Sequence, residues 1–448
     1  MEDTTTPSLP YLFKMNRVSS DINYLLIILL VGFSVYFNSL FCNIITGDDQ
    51  EIINYHVETG KISLENSNSF LDSLIYQFVG KSPKGYHFLN ILLHLIVCVL
   101  VFYFLKIFFD IEASFYGALL FTVLPIHTEA VTWIAGKPHI LIALCFLGSF
   151  LAFHYNQFPI SMLLFFLGFY PGINKINLVN LWLGMVPVFF IIYLLVYKRF
   201  KELYKVGAYL ICYISIVLFY LKDINDRISD TAVNFKSTAS NIWITFIYSI
   251  YNHFWLMIYP KNLVLYHENI NVDLFAVWWG TLGIIIFGGS LVYIYKKSKP
   301  LFLGLAIFFL FLSPTFSPKP LSWVIAERYA YLPSILVSVI AACLISSRYK
   351  NVVITILFPL LFLYGIRTVD RNADYKTDER FRRATLASAP YSPKARNDMG
   401  VIYARESNII KAAQEFRNAL KLNPDFKEAK DNMDLVIKAV KKGITIKY

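Results

Sequence analysis

The chemistry this chain can offer lies in the ionisable residues that interrupt its long apolar runs. Asp48 and Asp49 stand side by side just after the first such run. A carboxylate there can take a proton from an acceptor hydroxyl, and its neighbour can assist or bind a divalent cation. Two adjacent carboxylates also repel, so one of them should hold its proton above the usual range unless a cation sits near. His87, Asn90 and His94 follow at i, i+3 and i+7, which places them on one helix face. The segment 125–139 packs His127, Glu129, Lys137 and His139 between two apolar runs, with no third ligand at zinc spacing. Glu327 and Arg328 precede another run and are followed by Tyr329 and Tyr331. Arginine's planar fork of donors suits a phosphate.

Each group also has a plainer reading. The acid pair could be a solvated loop, and His87 and Asn90 could join helices by hydrogen bonds. Glu327 and Arg328 could pair with each other, or anchor lipid head groups. Together the groups suit transfer from a phosphate-activated lipid donor. Asp49 is then the general base, and Asp48 assists it or binds a metal. Arg328, Lys137, His127, Glu129 and His87 line the side that meets the donor phosphate. Ionisable groups at the edge of an apolar bundle avoid lipid, so Asp48, Asp49, His127, Glu129 and Arg328 are expected to converge.

The elements that must position these groups are membrane helices. The chain has 448 residues, 56% of them hydrophobic, and a mean hydropathy of +0.53. A lipid-crossing helix needs roughly 20 mostly apolar residues, and an open sheet edge is excluded from lipid. The expected fold is therefore all-α, a polytopic helical bundle. Eleven crossings are expected, near 22–41, 86–107, 113–132, 138–155, 159–174, 178–197, 205–221, 274–295, 300–316, 329–347 and 351–367. The first run is long enough to stay as an anchor rather than a cleaved signal. The segment 241–259 is a twelfth candidate. Three connectors, 198–201, 296–299 and 348–350, are strongly basic. Placing all three in the cytoplasm, as the positive-inside rule asks, requires that 241–259 does not cross. The N-terminus then lies in the cytoplasm. The C-terminus and the loops 42–85, 127–137, 222–273 and 317–328 lie outside. The net charge of +11 is read as helix-flanking cations, not as a nucleic-acid surface. The five cysteines are scattered in apolar runs with no metal or disulfide pattern.

The chain divides into a membrane part, 1–367, and a soluble helical tail, 368–448. Within the tail, 393–426 fits one tetratricopeptide repeat. Counting from Pro393, Met399 and Gly400 take positions 7 and 8, Tyr403 takes 11 and Ala412 takes 20. Phe416, Ala419 and Pro424 follow at 24, 27 and 32. Residues 377–389 read as a preceding helix and 427–442 as a following cap. One repeat buries too little surface to stand alone, so it should pack on the membrane part. It is either a structural cap or a groove for a protein partner.

In this order the motifs resemble the transmembrane and tetratricopeptide-repeat O-mannosyltransferase family and its prokaryotic relatives, within the C-type glycosyltransferase superfamily that uses lipid-linked sugars. The matching segments are 47–49, 86–90 with His94, 125–136, 259–263, 326–334 and 371–375 running into the repeat. The resemblance implies an inverting transferase with a polyprenyl-phosphate sugar as donor, a protein acceptor and an extracytoplasmic repeat domain. It assigns the base to the acidic pair. The family often has an acidic residue where His139 stands, and Lys-Glu where this chain has Lys175-Ile176. Two other classes are a non-catalytic scaffold whose repeat recruits a partner, and a transporter, which should show two related halves that this chain lacks. No Asn-x-Ser/Thr sequon occurs, which favours a prokaryotic cytoplasmic membrane over the endoplasmic reticulum.

Overall fold

A backbone in lipid must satisfy its own hydrogen bonds, and the described residues do so with helices, without a strand among them. The computed structural model describes residues 15–45, 47–59, 67–169, 182–222, 224–225, 242–261, 263–264, 274–316 and 324–442. Their α-helices are α1 Met15–Tyr36, α2 Gly47–Thr59, α3 Ser67–Val79, α4 Pro83–Lys106, α5 Ile111–Val123, α6 Thr128–Thr132, α7 Lys137–His154, α8 Phe158–Phe169, α9 Met185–Val196 and α10 Leu203–Phe219. They continue with α11 Ile242–Ile258, α12 Leu274–Lys297, α13 Lys299–Leu312, α14 Ile335–Ile345, α15 Lys350–Asp374, α16 Asp378–Ser388, α17 Pro393–Arg405, α18 Ile409–Leu422 and α19 Lys427–Lys442.

Every expected crossing segment overlaps one of these helices, and so does 241–259. Among the described residues five helical stretches are long and apolar enough to cross a membrane: Asp21–Phe41, Pro83–Lys106, Ile134–His154, Phe200–Phe219 and Lys350–Asp374. A sixth is the bent pair Ile111–Val123 and Pro125–Thr132. Shorter apolar helices accompany them at Phe158–Gly168, Trp182–Val196, Lys299–Thr315 and Ile335–Ile345. Parts of the expected segments, 170–174 and 178–181, lie outside the described residues, as does the Lys175-Ile176 departure.

Two boundaries differ from the sequence reading. The expected helix over 113–132 is broken, with a bend of 50° between its halves. Pro125 is the cause. It excludes Leu124 from helical geometry, and Leu124 is extended at φ −61° and ψ 121°. The other difference is the end of the last membrane helix. α15 runs to Asp374 without interruption, seven residues past 367, where the last crossing was expected to end.

The bundle core is aromatic. Phe146, on α7, meets Phe189 on α9 and Phe311 on α13 edge-on, with ring centroids 5.2 and 4.8 Å apart. Such edge contacts suit the ring quadrupole. Beyond α15, Thr377 caps α16 through the Arg380 amide, and Ser392 caps α17 with Pro393 at its first turn. α17 and α18 form a tight hairpin, and α19 packs on α18. The hairpin needs a glycine, because a Cβ at Gly400 would lie 2.5 Å from Phe416 Cε1.

Candidate active site

The polar motifs meet where the 124–137 loop folds back on itself. Gly136 makes the fold possible, since a Cβ there would sit 2.4 Å from the Glu129 carbonyl. Side chains from three helices grip the loop. Thr132 Oγ1 donates to Asn372 Oδ1 at 2.8 Å and shares a 3.0 Å hydrogen bond with Ser39. Asn372, on α15, donates in turn to the Val35 carbonyl of α1. Asn90, on α4, donates to the Trp133 carbonyl at 2.9 Å. The chain just beyond α15 closes over the same place, with Trp133, Cys42, Ile45, Tyr375 and Phe381 in one apolar cluster.

Asp49 enters this assembly from the first turn of α2, where the helix N-terminus favours negative charge. It is fully buried. Its Oδ1 accepts from the Ala135 amide at 3.0 Å and its Oδ2 from the Ile45 amide at 3.5 Å. Burial pushes its carboxyl up from 3.8 to about 7, against the pull of those amides and of Lys137. Repulsion from Asp48, the cause expected from the sequence, adds less than burial does. Asp48 itself is exposed.

The charges near Arg328 pair differently from the plain reading. Glu327 does not pair with its neighbour. It reaches Arg371 of α15 at 3.0 Å, with both side chains almost fully buried. Arg328 pairs with Glu129 through Nη1, and its backbone amide donates to the second Glu129 oxygen at 2.9 Å. The guanidinium lies between the rings of Trp133 and Tyr329, 5.4 and 5.0 Å from their centroids. That stack adds attraction and fixes the plane of the fork.

The remaining candidates divide. His87 is buried near the backbone of Cys42 and Thr132, without a hydrogen bond of ordinary geometry at either ring nitrogen. Lys137 is buried in an ion pair with Asp72 of α3, so its charge is already balanced. His127 turns into the bundle, where Nε2 bonds Ser334 at 2.7 Å and the ring packs on Phe121 and Tyr331. The structure thus gathers Asp49, Glu129, Arg328 and His87 about one loop, and sends His127 into the core. His139 packs against Trp182 and Tyr329. Among the described residues no three His, Cys, Asp or Glu side chains gather where they could hold a metal ion. The partners Asp72, Arg371 and Asn372, and the amides of Ile45 and Ala135, were not assigned roles from the sequence. For the first three the available signal was a polar group beside an apolar run. Backbone amides leave no such signal.

A helical bundle with several helices long and apolar enough to span lipid fits a multi-pass membrane protein, with its buried charged cluster at the loops between helices. Comparison with known proteins narrows this class. The chain is similar to protein O-mannosyl-transferase TMTC3 of Homo sapiens, at 23% identity over 91% of this chain and 52% of that protein. The Caenorhabditis elegans protein O-mannosyl-transferase F38B6.6 is 24% identical over 92% of this chain and 64% of its own length. Protein O-mannosyl-transferase TMTC4 of Mus musculus is 25% identical over 75% of this chain and 55% of its own. The resemblance read from the motifs is therefore to the TMTC-type protein O-mannosyl-transferases. The chain spans about half the length of the TMTC3 proteins it matches. No family model matches it, and no solved structure does.

Proposed function

We propose that the chain is a membrane glycosyltransferase that moves a sugar, mannose by its likeness to these relatives, from a polyprenyl-phosphate donor to an extracytoplasmic protein acceptor. The observation that carries this reading is Asp49, a buried carboxyl poised at about 7, held by the same loop whose Glu129 and Trp133 fix Arg328. A base is most effective when its pKa lies near the working pH. Asp49 takes the proton of an acceptor hydroxyl as that oxygen attacks the anomeric carbon. The bond from that carbon to the phosphate oxygen breaks, and polyprenyl phosphate leaves with the electron pair. A single displacement of this kind inverts the anomeric centre. Arg328, held in place by Glu129 and two aromatic faces, steadies the leaving phosphate with its remaining donors. A divalent cation, where the reaction uses one, meets Asp48. The tail is read as a tetratricopeptide repeat that caps the site and offers a face to a protein acceptor.

The topology belongs to the same proposal: eleven crossings, N-terminus inside, C-terminus outside, with α11 lying along the outer face. The contacts of α11 support it. Ser249 shares a 2.7 Å hydrogen bond with Thr315, and His253 meets the Ala326 carbonyl at 3.3 Å. The Ile258 carbonyl accepts from Tyr364, and that of Pro260 from Arg367. From Ser249 to Pro260 this stretch touches Thr315, Ala326, Tyr364 and Arg367, all near helix ends expected outside. The absence of sequons keeps a prokaryotic cytoplasmic membrane ahead of the endoplasmic reticulum. The test is transfer of labelled mannose from polyprenyl-phosphate mannose to protein in proteoliposomes of the full chain. Transfer that disappears with Asp49→Asn supports the enzyme; an inert wild-type protein favours the scaffold. A cytoplasm-only reporter fused after Tyr448 should stay silent, and a strong signal overturns the topology.

A further inference from the structure

We propose that Arg371 is the positioning residue for Arg328, acting through the side chain of Glu327. The inference rests on Arg328 as the ligand of the donor phosphate and deepens that reading. Among the described residues Arg371 is one of the largest side chains to be almost fully buried, with 1% exposure. A cation in the last turn of a helix usually answers the helix dipole from the surface, but this one is turned inward. Its Nη2 donates to Glu327 Oε1 at 3.0 Å and its Nη1 to Asp374 Oδ2 at 3.1 Å. Its guanidinium carbon lies 5.3 Å from the centre of the Tyr375 ring. Glu327 directly precedes Arg328 and opens the short 3-10 helix Glu327–Ala330. Neighbouring residues share a planar peptide, so a clamp on the Glu327 side chain also fixes the backbone that carries Arg328.

Asn372, the next residue of α15, holds the opposite side. It accepts from Thr132 at 2.8 Å, and Thr132 ends α6, the short helix that carries Glu129. Consecutive residues of one helical turn thus grip both segments whose side chains must meet. The meeting itself is specified twice, because Glu129 takes the Arg328 amide at 2.9 Å as well as the guanidinium. Trp133 and Tyr329 then hold the plane of the fork. With Arg371 removed, the Glu129 contact remains, but the 326–330 segment loses its anchor on α15. The remaining donors of Arg328 then lose their fixed aim. A guanidinium binds phosphate best when its donors match the oxygens in distance and angle. The loss therefore falls on the phosphate of a lipid and not on its apolar tail.

The experiment measures the binding of two probes, polyprenyl phosphate and the matching polyprenol, to the purified full chain in detergent. Wild type is compared with Arg371→Gln, Arg371→Lys and Arg328→Lys. The Kd for polyprenyl phosphate should rise roughly tenfold in Arg371→Gln and roughly threefold in Arg371→Lys. The Kd for polyprenol should stay at the wild-type value in both. Arg371→Gln leaves Glu327 buried without its counter-ion, which is costly to folding. Arg371→Lys keeps the charge and loses only the planar fork that spans Glu327 and Asp374, so it serves alone where Arg371→Gln is not recovered folded. A merely structural Arg371 lowers the fraction of protein that binds and weakens both probes alike. An unchanged Kd for polyprenyl phosphate, or an equal loss for the two probes, therefore overturns the inference. Arg328→Lys separates the two layers. If it leaves the Kd for polyprenyl phosphate unmoved, or if wild type does not prefer the phosphate, the donor reading of Arg328 fails. If it weakens polyprenyl phosphate while the Arg371 variants do not, only the positioning role fails.

Discussion

Asp49→Asn separates charge from shape, and its effect on stability can be worked from the buried carboxyl. In the folded protein this group releases its proton near 7 instead of 3.8. The unfolded chain has already lost the proton by pH 5, so between pH 5 and 8.5 only the folded state titrates. A raised carboxyl contributes stability that is fully present below the unfolded value and is lost as pH rises through the folded one. At about 1.4 kcal/mol per pH unit, the loss over this window is about 3 kcal/mol. The substituted carboxamide cannot titrate. It keeps an oxygen for the Ala135 amide and gives up one hydrogen bond, at a cost of about 1 kcal/mol. The variant should therefore melt slightly below wild type at pH 5 and above it at pH 8.5. Unfolding entropy of about 2.1 cal/mol/K per residue makes the full swing about 3 °C for 448 residues. Mannose transfer should meanwhile fall by roughly a hundredfold or more at every pH, the usual contribution of a general base. The assays are thermal unfolding in detergent across pH and transfer in proteoliposomes. Parallel melting curves for the two proteins would show that the titrating group is not Asp49 and refute the reasoning, whatever the activity.

Arg328→Lys keeps the charge but loses the planar fork and the stack on Trp133 and Tyr329; the KM for the lipid donor should rise roughly tenfold, and an unchanged KM removes Arg328 from the donor site. Asp72→Asn leaves Lys137 buried without its counter-ion, a change worth about 3–5 kcal/mol. Its yield in detergent should drop sharply and recover when Lys137→Met is added, and a stable single variant contradicts the pair's burial. Gly400→Ala drives a Cβ to within 2.5 Å of Phe416, an overpacking of about 1–3 kcal/mol. Limited proteolysis should then cut the 393–442 helices before the membrane part, and unaltered cleavage shows that the hairpin tolerates a wider gap.

Much of the scaffold was legible because its causes are local. Apolar runs of membrane length mark α1, α4, α7 and α15, and the proline and glycine at 393 and 400 mark the α17–α18 hairpin. The crossing count was less accessible, since α8, α9, α13 and α14 are shorter than a membrane is thick and owe their place to packing. The break at Pro125 was also local, yet the continuous apolar character of 113–132 concealed it. In the site, residue types pointed to Asp49, Glu129 and Arg328. Pairing was not legible: Glu327 and Arg328 are neighbours in sequence, yet helical wrapping sends their side chains to Arg371 and Glu129. The packing of His127 was hidden for a similar reason. Its motif lies in a loop, but the bend at Pro125 turns its ring back among Phe121 and Tyr331.

The crossed pairing also sets an order of assembly during synthesis. Lys137 and Asp72 are separated by 65 residues, so their bridge can close soon after the second of them emerges. Glu129 waits much longer, because Arg328 lies 199 residues downstream. At roughly 5–20 residues per second, that interval is roughly 10–40 s. Throughout it, the far end of the loop is tethered while Glu129 has no guanidinium to meet. A carboxylate in that state stays in water or takes up a proton. The Glu129–Arg328 latch is therefore a late product of translation. A nascent chain halted before Arg328 carries an exposed, unlatched loop, a natural handle for the machinery that recognises unfinished membrane proteins.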